Sequence, residues 1–175
     1  MSEYFLNTEN INEWVSGLRA GDRVYLSGKI YTARDAAHKK ISALISDGEE
    51  LPFDLNGSVV YFAGPTPAKG TLAVGSIGPT TSSRMDCYSP LMLENGQKAM
   101  IGKGNRSPQV IESIKDNSAV YFAAVGGAGA LYSECVKSCR VIAFPELGCE
   151  SVKELNVVNF PLLVAIDSKG NSLYS

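Results

Sequence analysis

Apolar and polar positions alternate through "RVYLSGKIYTA" (23–33), a stretch rich in β-branched and aromatic residues, and the pattern predicts a strand. Ahead of it, "NINEWVSGLRAGD" has the spacing of a short amphipathic helix from about Ile11 to Leu18, closed by the Gly21-Asp22 turn. Behind it, "RDAAHKKISALISDG" puts Ala37, Ile41, Leu44 and Ile45 on one face, with Gly48 at its end. That helix would carry Arg34, Asp35 and His38 in its first turn.

Farther along, glycines divide a series of apolar runs: "SVVYFAG", "TLAVGSIG", "KAMIGKG", "AVYFAAVGG", "RVIAF", "NVVNF" and "LLVAID". Ser89-Pro90 and Ser107-Pro108 each pair a capping residue with a proline at the first helical position, and "SPQVIESIKDN" is the better helix of the two. "GALYSECV" and "ELGCESVKEL" predict short helices, and "AIDSKGNSLYS" a strand, a turn and a short returning strand. Unbroken apolar strands alternating with short helices indicate an α/β fold whose sheet is covered on both faces. "VVYFAG" and "AVYFAAVG" echo each other once, as two similar buried strands. Without linker or low-complexity segment, residues 1–175 are expected to form a single domain.

Composition narrows the function. The chain is 45 % apolar and 19 % charged with a net charge of −2, which argues against a nucleic-acid surface. No apolar run is long enough to cross a bilayer and "MSEYFLNTEN" has no leader pattern, so a cytoplasmic location is expected, away from membranes. Cys87, Cys135, Cys139 and Cys149 are then expected as reduced thiols.

Anion-binding chemistry has to be local, and the glycine loops are where it concentrates. "AGPTPAKG", "IGPTTSSRMD", "IGKGN" and "VGGAGA" follow apolar runs and carry Lys69, Arg84 and Lys103. Glycine allows backbone amides to approach an anion, although strand-to-helix turns need glycine for their own geometry. No phosphate-loop signature occurs, and "VGGAGALY" lacks the third glycine of a dinucleotide loop. A carboxylate suits the set, because Arg84 can grip one bidentately while the Thr and Ser hydroxyls fill its remaining lone pairs.

Six segments in order, "GKIYTARDAAHKK", "YFAGPTPAK", "GPTTSSRMD", "MIGKGN", "VYFAAVGGAGAL" and "FPELGCESVKELNVVNFPLLVAIDSKGN", resemble the β subunit of the class I iron–sulfur fumarate hydratases and the related L-tartrate dehydratase β subunit. The resemblance runs from about Gly28 to Asn171. It implies a swivelling β/β/α domain that completes a hydro-lyase with a partner α subunit. The partner would hold a 4Fe-4S cluster, in an assembly implied to be a heterotetramer. The implied reaction is reversible hydration of fumarate to L-malate. The resemblance places substrate binding on Arg34, Arg84 and Lys103 and catalysis on Thr80, with Arg84 beside it; Ala33 stands where many relatives have glycine.

The chemistry accords with those roles. Dehydration of malate removes a proton beside one carboxylate while hydroxide leaves the neighbouring carbon, so charge builds on that carboxylate. Fixed cations there are worth on the order of 3–4 kcal/mol each, if the site is dry. A free threonine hydroxyl is a poor base, so Thr80 needs an activator, which the partner chain can supply.

Other residues have blander readings. His38 could shuttle a proton, or be a structural imidazole anchored by Asp35. Asp86 would orient Arg84 or cap the following turn, and Thr81 is a secondary candidate beside Thr80. Cys135 and Cys139, four apart, would share a helix face as buried free thiols, and no grouping of thiolates or histidines offers a metal site in this chain. Tyr61, Phe62, Tyr121 and Phe122 belong in the sheet core. Two functions compete with a fumarate hydratase β subunit: an L-tartrate dehydratase β subunit, and a non-catalytic module for a small anion. The last gives no reason for Arg34, Thr80, Arg84 and Lys103 to match together.

Overall fold

Alternation along the central strands assigns each residue to one of two cores. The structure, a computed structural model, describes residues 1–174. Strand β2 (Arg23–Thr32) is followed by helix α2 (Asp35–Ser46), then β3 (Val59–Tyr61), α3 (Ser89–Glu94), β4 (Ala99–Gly102), α4 (Pro108–Asp116), β5 (Val120–Ala123), α5 (Gly129–Ser133), β6 (Val136–Ala143) and β7 (Val152–Ile166). Before β2 come β1 (Glu3–Asn7) and α1 (Ile11–Trp14). Strands β2, β3, β4 and β5 pair in parallel in that order. Strand β7 runs antiparallel to both β5 and β2, so the sheet closes into a barrel, with β1 beside β2 and β6 beside β7.

Val59, Tyr61, Ala99, Ile101, Val120 and Phe122 point into the barrel and meet Leu26, Ile30, Leu155 and Phe160. The alternate residues Val60, Phe62, Met100 and Tyr121 point outward, where Ala37 and Ile41 of α2, Met92 and Leu93 of α3, and Val110 and Ile114 of α4 cover them. Both faces are therefore apolar, which is why these strands read as unbroken runs. Each large side chain so buried contributes about 1.5–3 kcal/mol. The expected mixed α/β class holds, with the barrel interior supplying the second covered face.

Five local expectations change, one of them "ELGCESVKEL", which is the end of the 3-10 turn Pro145–Glu150 running into β7 rather than a helix. "EYFLN" forms β1, a mostly exposed strand without the alternation that marks β2. "TLAVGSIG" is not a strand: Val74 and Ile77 join the barrel core from a loop, and the Tyr61 hydroxyl donates to Ile77 O at 2.6 Å. Its apolar pattern comes from plugging the barrel rather than from pairing. "NVVNF" and "LLVAID" are one strand, β7. Ser107 caps α4 as expected, accepting from Val110 N, but Ser89 is the first residue of α3 and its Oγ instead donates to Met85 O.

Candidate active site at the strand carboxyl ends

Parallel pairing sends β2, β3, β4 and β5 out of the barrel on the same side, and the loops leaving them carry the candidate residues. Arg34 follows β2 after Ala33 and is the residue before α2. Its side chain lies across Gly64, after β3: a Cβ there would come within 3.3 Å of Arg34 Cδ and Nη1. A side chain there would press on Arg34 and on the Cys149 carbonyl. The "GPTTSSRMD" loop is anchored on the next two strands. Thr80 N donates to Phe62 O at 2.7 Å, Ser82 N donates to Lys103 O at 2.9 Å, and Thr81 pairs with Lys103 in a parallel bridge. Lys103, just after β4, extends over Gly126, which follows β5. Arg34, Thr80, Thr81 and Lys103 are thus carried on one continuous arc of strand ends.

Arg84 sits in the 3-10 turn Ser82–Met85 of the same loop. It is exposed, and no hydrogen bond or ion pair holds it among the described residues. Lys103 and Thr81 are exposed as well, and Thr80 and Arg34 half-buried. No carboxylate is hydrogen-bonded to the Thr80 hydroxyl among the described residues. Lys69 lies at the exposed tip of a separate excursion closed by Thr66 N donating to Ser76 O and by pairing of Lys69 with Leu72.

Asp86 does not orient Arg84. Its Oδ1 accepts from Nε of Arg106 at 2.7 Å, and its Oδ2 accepts from Ser107 N at 2.8 Å. Arg106 is 4 % exposed and also donates to Ser89 Oγ at 2.7 Å. Its guanidinium lies between the rings of Phe62 and Tyr121, 5.2 and 4.9 Å from their centroids. The Tyr121 hydroxyl in turn bonds Ser82 Oγ and Gly104 O, each at 2.8 Å. One buried cation therefore ties the loop bearing Thr80 and Arg84 to the loop bearing Lys103. Nothing in "KGNRS" signalled this, because the partners are distant in sequence.

His38 is a buried imidazole, but Asp35 does not anchor it. It is 1 % exposed, and its partner is Arg34 O, 2.9 Å from Nδ1, rather than Asp35. A carbonyl can only accept, so Nδ1 carries the proton. Burial drives the imidazole pKa down to about 4, against the smaller opposing pull of the Arg34 carbonyl, so the ring is neutral near pH 7. It packs edge-on against Phe62. Asp35 occupies the first turn of α2, where the helix favours negative charge, and its Oδ1 is buried without a partner.

Cys135 and Cys139 do not share a helix face, since Cys139 lies in β6, and both are half-buried; Cys87 and Cys149 are exposed. Among the described residues no three His, Cys, Asp or Glu side chains are grouped to hold a metal. Among the described residues, then, no set of side chains is grouped to hold an iron–sulfur cluster. No helix among the described residues is long and apolar enough to cross a membrane.

Residues 2–175 match the family model described as fumarase C-terminus. A Methanocaldococcus jannaschii protein provisionally named L(+)-tartrate dehydratase subunit beta is 47 % identical over 166 residues, covering 91 % of this chain and 85 % of that protein. Fumarate hydratase 2 of Leishmania major is 38 % identical over 169 residues, and the aerobic class I fumarate hydratase of Escherichia coli K12 is 37 % identical over 154. Those matches cover 95 % and 87 % of this chain but only 30 % and 28 % of the two enzymes. On the family match across nearly its whole length, the chain belongs to the fumarase C-terminus family.

Proposed function

We propose that this chain is the β subunit of a class I hydro-lyase, supplying the substrate-binding cations and the Thr80 hydroxyl for reversible hydration of fumarate to L-malate. The observation that carries the reading is the arc of Arg34, Thr80 and Lys103 at adjacent strand ends, with Arg84 free in the loop between them. A C4 dicarboxylate presents two anionic ends, which two arginines and a lysine can divide. Arg84 and Arg34 each grip a carboxylate by the fork, and Lys103 holds charge beside the carbon that loses its proton. Thr80 stands at that carbon as the proton acceptor, and its activating group comes from the partner α subunit.

The openness of the face supports the division of labour. Cations facing water at 4 Å from an anion gain only about 1 kcal/mol, and several times more when water is excluded. A partner that covers this face turns weak attraction into catalysis. The Lewis acid for the departing hydroxide belongs, on this reading, to a 4Fe-4S cluster on that α subunit, in a cytoplasmic heterotetramer.

A second reading, dehydration of L-tartrate to oxaloacetate, is favoured by the 47 % identity to the archaeal subunit. The test purifies this chain alone and with its α subunit under anaerobic conditions. Alone, it should fold, hold no stoichiometric iron and turn over neither substrate; the complex should turn over fumarate faster than tartrate and lose activity in air. Higher kcat/KM on tartrate selects the second reading. Robust turnover by the lone chain sinks both.

A further inference from the structure

Arg34 runs in a slot with Gly64 on one side and the 3-10 turn Pro145–Glu150 on the other. The Gly64 position that meets Arg34 Cδ also meets Cys149 O, 3.0 Å from a Cβ built there. Inside the slot Arg34 Nε is buried and has no hydrogen-bond partner. The carboxylate facing it is that of Glu150, whose Oε1 is 3.8 Å from Nε, just beyond hydrogen-bond reach. With Nε turned toward Glu150, the Nη1 and Nη2 fork is the edge left for a ligand.

The turn that presents Glu150 is itself held by a lysine. Lys153 of β7 pairs with Thr32, two residues before Arg34, and is only 8 % exposed. Its Nζ donates to Ser151 Oγ at 2.8 Å and reaches Cys149 O at 3.1 Å and Gly148 O at 3.3 Å. No carboxylate pairs with it among the described residues. A buried ammonium without a counter-ion is costly, and burial lowers its pKa. Such a group persists where its three donors gather several oxygens of one turn, here Ser151 Oγ, Cys149 O and Gly148 O.

We propose that Glu150 and Lys153 are positioning residues for Arg34: Lys153 fixes the turn, and Glu150 orients the guanidinium so that its terminal fork meets a substrate carboxylate. Neither touches the substrate. The inference rests on Arg34 binding a carboxylate in the hydro-lyase proposed above, and binding of an unreactive dicarboxylate separates it from that reading.

The experiment uses the complex with the α subunit, with succinate as probe and with the substrate that the wild type turns over. Glu150→Ala should weaken succinate binding and raise KM by about tenfold while kcat changes by less than about threefold, the signature of lost binding common to ground and transition states. Glu150→Gln keeps an oxygen facing Nε without the charge and should recover part of that loss. In an Arg34→Ala background Glu150→Ala should add nothing, because the group it orients is gone. Lys153→Met should repeat the Glu150→Ala effect; if it does not fold, the three Glu150 and Arg34 measurements decide. Unchanged succinate affinity in Glu150→Ala, no recovery by Glu150→Gln, a loss that persists without Arg34, or a fall in kcat at constant KM each overturns the inference. A complex that binds succinate but turns over neither substrate ends the hydro-lyase reading, and the succinate affinities still decide this one.

Discussion

Two layers of the same loops differ sharply. Beneath the surface, Arg106 makes an ion pair, bonds to Ser89 and lies between two aromatic rings. On the surface above, among the described residues, Arg84 has no partner and Lys103 contributes only its backbone carbonyl to the loop. The buried layer satisfies its charges within the chain, and the outer layer leaves them free. A site built this way holds its groups in place before the ligand arrives, and its cations have not been neutralised by neighbours. The difference also says which arginine is replaceable for stability and which for chemistry.

The largest expected effect breaks the lower layer. Arg106→Met leaves the Asp86 carboxylate without its counter-ion and should destabilise by about 3–5 kcal/mol. Arg84→Met should change stability by less than about 0.5 kcal/mol, as an exposed substitution. Denaturant unfolding of the two variants measures the contrast, and equal losses would erase it.

His38 tests the lower layer by pH. Its folded pKa of about 4 lies below the usual histidine value, so between those values the unfolded chain binds a proton that the folded chain does not. Its contribution is intact above pH 6.5 and is lost as pH falls toward 4, to a total on the order of 3 kcal/mol. His38→Gln should flatten the stability profile between pH 6.5 and 5; an unaltered slope would show that other groups cause it.

Next in size, Arg84→Lys keeps the charge of the outer layer and removes the fork. It should cost about 1.5–3 kcal/mol in kcat/KM of the assembled enzyme, with the unfolding curve unmoved. Unchanged kinetics would remove Arg84 from substrate binding. Smallest, Ser107→Ala deletes the side-chain cap of α4 and should cost about 1 kcal/mol of stability without altering KM. A shift in KM there would mean the two layers are less separate than they look.

Much of the fold was legible in local pattern. The β2 strand, the α2 helix and its Gly48 stop, and the Ser107-Pro108 start all follow from rules that act within a few residues. "TLAVGSIG" misled because burial inside a barrel and burial within a paired strand leave the same apolar signature. Strand β1 was missed because its residues are mostly exposed and so lack the alternation that burial imposes.

What the sequence determined by itself were the groups available for chemistry: a mildly acidic chain with Arg34 at a helix start and Thr80, Arg84 and Lys103 in polar loops. Which charges stay free was decided only by tertiary structure. Asp86 and Arg106 stand twenty residues apart, Arg34 and Glu150 more than a hundred, and neither pairing has a local rule behind it. Barrel closure by β7 against β2 brings the Glu150 turn to Arg34, and parallel pairing of β3, β4 and β5 stacks Arg106 beneath the Thr80 loop. Charge identity is a property of a residue, whereas its availability depends on the neighbours that a closed sheet supplies.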